Sequence, residues 1–522
     1  NKNNLRIYGG YNDAFAAQAG YTVLDGGSVA LSNRLVWIAN LTNLTFDGFV
    51  IRGGGTNGDV PIEYGTGLYI NRTAYSLFTN TLISNCISSN GGGVHVIQST
   101  NIILHATVVS NSAGYLGGGV YLNNTVACTV GGIVASNSAQ TTGGGVYMLI
   151  CQSNAVSGQI VSNNSVTGGG VYISTGSSNS VSGSVVSNYS AGNGGGVYLY
   201  QCTNSTISGT IAGNSSADKG GGVYIGLCED ARVSALVCGN SAVNFGGGAY
   251  LSVGENNSVA GGIIASNNAN IGGGIAIRFS TNSYVGSSSV VSNGAVIGSA
   301  IFMQSGSNNF ITNSFFSNNM ASWTNAVIHL SNVTEAGNPL TISNCTFYGG
   351  GASAFAVFEQ SPDVSNHIIV SNTFWTNTLS YLYIESGNQI ISNDRIDILN
   401  SNSTWHDALN PSMNVVMPAG PPTISITNPA ALAWITSISV TIEGWASTGT
   451  GQVSGVWFST NATMLYNLAS GSTNWTTNVD VSAFPITNVF YAVASNEFGY
   501  VTTNLQTNLV DVTLPYATLT NI

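Results

Sequence analysis

Side chains able to move protons are scarce in this sequence and thinly spread. Glycoside hydrolysis needs two carboxyl groups flanking one bond, and calcium-assisted elimination from an acidic polysaccharide needs several acids plus a base. Between residues 65 and 323 the charged residues are chiefly Asp218, Lys219, Glu229, Asp230, Arg232, Glu255 and Arg278. They fall mainly in different loops, and no acid is expected above an equivalent acid in the next repeat. Glu229 and Asp230, with Arg232 nearby, form the single adjacent acidic pair and read as a solvated loop. Asp47, Asp59 and Glu63 near the start, and Asp394, Arg395 and Asp397 near the end, read as turn and cap residues. His95 and His105 have no metal-ligand spacing, and no GxSxG, HExxH or P-loop pattern occurs. The seven cysteines (Cys86, Cys128, Cys151, Cys202, Cys228, Cys238 and Cys345) show no CxxC pairing. They read as buried small hydrophobes, with Cys202 and Cys228 stacked as thiols at equivalent repeat positions. No catalytic residue, metal or cofactor is expected.

Composition narrows the partners. Only 6% of the 522 residues are charged and the net charge is -11, against the roughly 25% charged residues of an ordinary soluble domain. Such a chain offers no basic footprint for nucleic acid or an anionic membrane. Apolar runs such as AALAWITSISVTI fall short of the about 20 residues that span a bilayer, so no membrane insertion is expected. The opening NKNNLRIYGG has no signal-peptide core, and secretion or surface display is inferred from composition.

What must position any functional side chain is a repeat. Variants of GGGVY begin at Gly65, Gly91, Gly117, Gly143, Gly168, Gly194, Gly220, Gly246, Gly272 and Gly298, a step of 26 broken once by 25. The fourth position of each row (Leu68, Val94, Val120 and onward to Ile301) and the sixth (Ile70, Val96, Leu122 and onward to Met303) are always apolar. The alternation marks a short strand. A further apolar column at the fourteenth position (Phe78, Leu104, Val130 and onward to Ile311), with another around the eighteenth, gives three short strands per row. Rows this short cannot bury their own apolar faces, so they stack at about 4.8 Å into an all-β, right-handed parallel β-helix of about 26 residues per turn.

Two more columns run through the rows. Asn85, Asn111, Asn137, Asn163, Asn188, Asn214 and Asn240, followed by Asn267, Asn293, Asn318 and Asn344, read as a structural amide ladder at one αL-tolerant bend. Between the two apolar columns of the first strand stand Tyr121, Tyr147, Tyr172, Tyr198, Tyr224 and Tyr250. Pointing outward, they would form an aromatic stripe about 25 Å long at strand spacing. The readings of this stripe are stacking of like side chains, a platform for sugar rings, or contact with a neighbouring copy or an overhanging loop.

GGGVYL followed by IVSNNS, and FFSNN at Phe315 to Asn319, resemble the paired GGA(I/V) and FxxN repeats of polymorphic outer-membrane proteins and related bacterial β-helix surface proteins. IYGGYNDAFAAQAGYTVLDGG is similar to the opening turn of such proteins. The resemblance spans about residues 1 to 400 and implies an exported adhesive or passenger-type domain. The chain departs from that family in carrying no membrane-anchoring barrel.

The organisation follows: opening turns over 1–64, regular turns over 65–323, irregular turns and a cap over 324–417, then a second domain over 418–513. Pro418, Pro421 and Pro422 mark the boundary. About seven alternating segments after it read as a β-sandwich. Its Trp475 segment followed by Tyr491 to Gly499 resembles bacterial immunoglobulin-like repeats, which implies a spacer or stalk. The strand-like tail 514–522 is expected to join copies head to tail. Taken together the sequence points to a structural or adhesive extracellular protein, self-associating or contacting a cell-surface or glycan partner. The alternative is a carbohydrate-binding or polysaccharide-degrading β-helix.

Overall fold

A computed structural model describes residues 3–11, 18, 20–27, 34–55, 65–322, 326–331 and 340–348, then the strands between 355 and 406 and most of 423–510. Every regular element among these residues is a β-strand. Contacts divide the chain into two units, Asn1–Met413 and Asn414–Ile522, a few residues ahead of the expected boundary.

The first unit is a parallel β-helix. Its first sheet stacks the GGGVY strands, among them Val94–Ile97, Val120–Asn123, Val146–Leu149 and Val171–Ser174, each paired in step with the next. Val146 still meets Val171 across the one 25-residue row. A second, longer sheet holds the fourteenth-position column, and a third runs from Ile87–Asn90 to Met320–Ala321. Inward residues of the first sheet, such as Val120, Val146, Val171 and Val197, are fully buried, as are Val156, Val181 and Ile207 of the second. The apolar columns read from the sequence are therefore the core.

Each regular turn contributes to three parallel sheets, and its passage through the second sheet varies along the chain. Ala74–Ser84 and Thr100–Val109 cross the second sheet unbroken, whereas the next turn splits into Thr129–Val130 and Ile133–Ala135 around Gly131 and Gly132. Later turns split likewise, giving four short segments on three faces. The physical reason is backbone contact: a Cβ on Gly132 would lie 2.0 Å from the Ala106 carbonyl oxygen. The glycine triplets obey the same constraint. In Gly117–Gly119 the first residue takes a φ of 63°, and a Cβ on Gly118 would come within 2.3 Å of the Ser138 carbonyl.

Past Ala321 the first and second sheets continue, through Ala326–Ser331, Phe355–Gln360 and Leu382–Ile384 on one face and Leu340–Ser343 to Thr404–His406 on the other. The acids Asp59, Glu63, Asp394 and Asp397 lie outside the described residues.

The second unit is built of two sheets. One comprises Thr423–Asn428, Ser439–Ser447 and Asn474–Asp480; the other comprises Trp434–Ile435, Val453–Thr460, Asn467–Leu468, Thr487–Asn496 and Val501–Val510. Pairing is antiparallel except between Trp434–Ile435 and Val501–Val510. Ile442, Val456, Phe458, Trp475 and Phe490 share one core, as a β-sandwich requires. The tail 514–522 lies outside the described residues.

Candidate functional site: the aromatic column and the amide ladder

Parallel, in-step pairing places Tyr121 beside Tyr147, Tyr147 beside Tyr172, and so on to Tyr250. Successive ring centroids are 5.2, 5.1, 4.7, 4.3 and 5.1 Å apart, and the rings are nearly parallel from Tyr172 to Tyr198, at 7°, and from Tyr198 to Tyr224, at 4°. The stack extends upstream through His95 to Tyr69 and Trp37. The six side chains lie outside the central core, as the alternation requires.

They are nevertheless not an exposed platform: the geometry goes against the sugar-platform reading of the stripe and accords with stacking of like side chains. Tyr121, Tyr147, Tyr198 and Tyr250 are only 3 to 7% exposed, and Tyr172 and Tyr224 are half-buried. Two causes act together. Each ring face is occupied by the next ring, and at the downstream end of the column Phe245, Ile271 and Ile297, each just ahead of a glycine corner, pack against the cluster of Tyr250, Ala276 and Phe302. Burial accordingly pushes the phenols of Tyr147, Tyr172, Tyr198 and Tyr224 above their ordinary pKa. A sugar ring finds no free aromatic face here.

The asparagine column forms a closed hydrogen-bond chain. Asn163 donates from its backbone N and its Nδ2 to Asn188 Oδ1, at 2.9 and 3.0 Å, while its Nδ2 also donates to the Val134 carbonyl at 2.9 Å. The unit repeats at Asn111, Asn137, Asn188, Asn214, Asn240, Asn267 and Asn293, ending on Asn319. All are about 1% exposed or less. Every amide atom is satisfied, which is what makes so polar a file tolerable in the interior.

Two assignments in that column are corrected. Asn85 is exposed and outside the ladder; Cys86 takes its place, its backbone N donating to Asn111 Oδ1 at 3.0 Å. Ile87 pairs with Ser112, a step of 25, so alignment by 26 lands one residue early. By the same offset Asn318 and Asn344 stand beside the ladder, and Asn319 is in it. The αL conformation belongs to this neighbouring position, occupied by Asn85, Ser110, Ser136, Ser162, Asn318 and Asn344, and not to the ladder residues. A second set of corner amides, Asn154, Asn179, Asn257 and Asn309, accepts backbone N–H groups from the preceding turns. Its signal, an Asn every 25 or 26 residues, is interrupted by Ser205, Ala231 and Ser283 and was missed.

The acids also need one correction. Glu229 does fall beside an acid of the next row: it bridges to Glu255, because the 26-residue step holds there. Both are exposed and face solvent. Asp230 occupies an αL corner, and Asp218 is held by Lys219 at 2.9 Å and by Asn244. Among the described residues no three His, Cys, Asp or Glu side chains gather into a metal-binding group. His95 is buried within the stack, where desolvation and the nearby Arg34 lower its pKa to about 3. His105 is exposed. Cys86, Cys128, Cys151, Cys202, Cys228 and Cys345 are buried free thiols, and Cys238 is half-buried. Burial pushes Cys86 and Cys128 up to about 11 and Cys345 to about 12. Cys202 and Cys228 stack on adjacent turns, the Cys202 N–H pointing to Cys228 Sγ at 3.4 Å. Their mutual hydrogen bond lowers the first thiol's pKa and raises the second's.

With this geometry in place, comparison with protein families becomes informative. Residues 43–235 match the family described as periplasmic copper-binding protein (NosD). The match covers less than half of the chain, lies within the β-helix, and agrees with a location outside the cytoplasm. A search of curated proteins found no match.

Proposed function

We propose that this chain is an extracellular structural and adhesive element, a stiff solenoid followed by an immunoglobulin-like spacer, whose copies associate head to tail. The carrying observation is the uninterrupted ladder from Asn111 to Asn319. Its polar groups are spent on joining turn to turn, and the described turns gather few charges. Glu229 and Glu255 lie side by side on exposed turns rather than facing each other across an enclosed site. The reading is therefore non-enzymatic.

The name of the matched family raises copper. Copper sites draw on thiolate, thioether or imidazole groups gathered around one point. Here His95 is enclosed in an aromatic stack, the core thiols of Cys86, Cys128 and Cys345 are held protonated, and the described residues supply no cluster of three donors. These residues do not fit a copper centre, and no copper chemistry is assigned to them.

Light scattering of the full chain over a range of concentrations, with electron microscopy, tests the assembly. Rods growing in multiples of the chain mass are expected, and a constant monomer mass overturns the head-to-tail element. Incubation with acidic and neutral glycans tests the non-enzymatic element: release of reducing ends or unsaturated uronides overturns it.

A further inference from the structure

The first of the regular turns carries a register shift on the second sheet. Ala74–Ser84 slips against Thr100–Val109: Thr79 pairs with His105, but Leu82 pairs with Thr107, so Asn80 and Thr81 together oppose Ala106. This is a β-bulge, a device that re-aims side chains and is over-represented beside binding sites. Asn80 takes a φ of 44° in mid-strand, away from the corner columns where other non-glycine residues adopt this conformation. Its exposed amide is oriented from below, Nδ2 donating to Asp47 Oδ1 at 3.0 Å.

Around the bulge lies an open cleft of about 480 Å³. Its rim carries Tyr21, 59% exposed, with Asn80 and the exposed imidazole of His105. Thr107 lines it with a hydroxyl, and Leu82 and Ile133 supply apolar wall. Beside them Gly132 removes a side chain, because a Cβ there would strike Ala106. Among the described residues no Asp, Glu, Lys or Arg lines the cleft.

We propose that this cleft is a binding site for an uncharged oligosaccharide. The chemistry matches on each count. A sugar presents an apolar face to an aromatic ring and hydroxyls to amide, imidazole and threonine groups. The uncharged lining leaves an acidic glycan without a counter-ion. An extended peptide would instead need free backbone groups for strand addition, yet Ala74–Ser84 is paired on both sides, with Thr45–Arg52 and Thr100–Val109. The site thus deepens the adhesive half of the proposed function, on which it rests, and gives that function a ligand class at a place other than the tyrosine column.

The test uses the full chain on an array of neutral and acidic glycans, followed by titration calorimetry with the neutral oligosaccharides retained. Asn80→Gly keeps the backbone conformation while deleting the amide, and Tyr21→Ala removes the exposed ring. Each is expected to weaken binding by about tenfold or more, with an unchanged thermal midpoint showing that the fold survives. Tyr198→Phe, within the buried column, is expected to bind as the parent does. Absence of binding to every neutral glycan, a preference for acidic glycans, or undiminished binding by both cleft variants overturns the site. Assembly measured by light scattering is independent of these outcomes, so failure of the cleft and failure of the scaffold reading are distinguishable.

Discussion

Two files of identical residues run side by side through the regular turns, and they are buried for different reasons. The asparagine file lies at a corner of the core, where each amide must find all its partners in the turns above and below. The tyrosine file lies outside the core and is covered by its own stacking and, at its downstream end, by Phe245, Ile271 and Ile297. The first tolerates almost no substitution because hydrogen-bonding capacity is matched atom for atom. The second depends on area and tolerates other rings, as His95, Phe302 and His329 at equivalent positions demonstrate. A repeated side chain in a β-helix is thus no guide to exposure by itself.

This contrast can be broken by mutation. The largest effect is expected from replacing Tyr172, Tyr198 and Tyr224 together with serine. Loss of about 2 kcal/mol of ring burial at each position would sum to about 6 kcal/mol, read as a fall in the urea midpoint. A triple variant as stable as the parent would restore the outward platform. Next, Asn188→Ala strips the partners from the Asn163 N–H groups and the Ile160 carbonyl. A cost of about 4 kcal/mol is expected from these stranded buried groups, again by urea unfolding.

A smaller effect depends on pH. His95 has a folded pKa near 3, below its ordinary 6.5, because burial and Arg34 disfavour the charged form. Below pH 6.5 the unfolded chain takes up a proton that the folded chain refuses, so stability falls as pH drops from 6.5 towards 3. At pH 4 the loss is about 3 kcal/mol. His95→Tyr, which restores the residue found in six later rows, is expected to remove that part of the pH dependence. Parallel melting curves of parent and variant from pH 7 to 4 would expose an error, since identical slopes would mean that His95 titrates normally. The smallest effect sharpens the ladder's boundary: Asn85→Ala, at an exposed site, is expected to change stability by less than about 0.5 kcal/mol. A loss as large as that of Asn188→Ala would put Asn85 back in the ladder.

How much of this was legible in the sequence varies by residue. The core was, because Val120, Leu122 and Val130 repeat at an interval that only stacked turns satisfy. The ladder's existence was legible too, but its register failed at Asn85 and Asn318, where a 25-residue step and an Asn-Asn pair disguise a shift of one. For the acids, the equivalence of Glu229 and Glu255 is a simple 26-residue step, overlooked because the residues lie in loops.

The sequence alone determined the parallel stacking, the residues of its core and the poverty of charge, since these follow from period and composition, which survive any detail of loop geometry. Only the tertiary structure decided that the tyrosine column is covered. The covering residues Phe245, Ile271 and Ile297 sit in segments with no column of one residue type, and their contact depends on how the chain turns between the third and first sheets. Tertiary structure also decided where a cleft opens. Tyr21, Asn80, His105 and Ile133 belong to four different turns and line one cleft beside a bulge that is invisible to periodicity because it adds one residue on one strand.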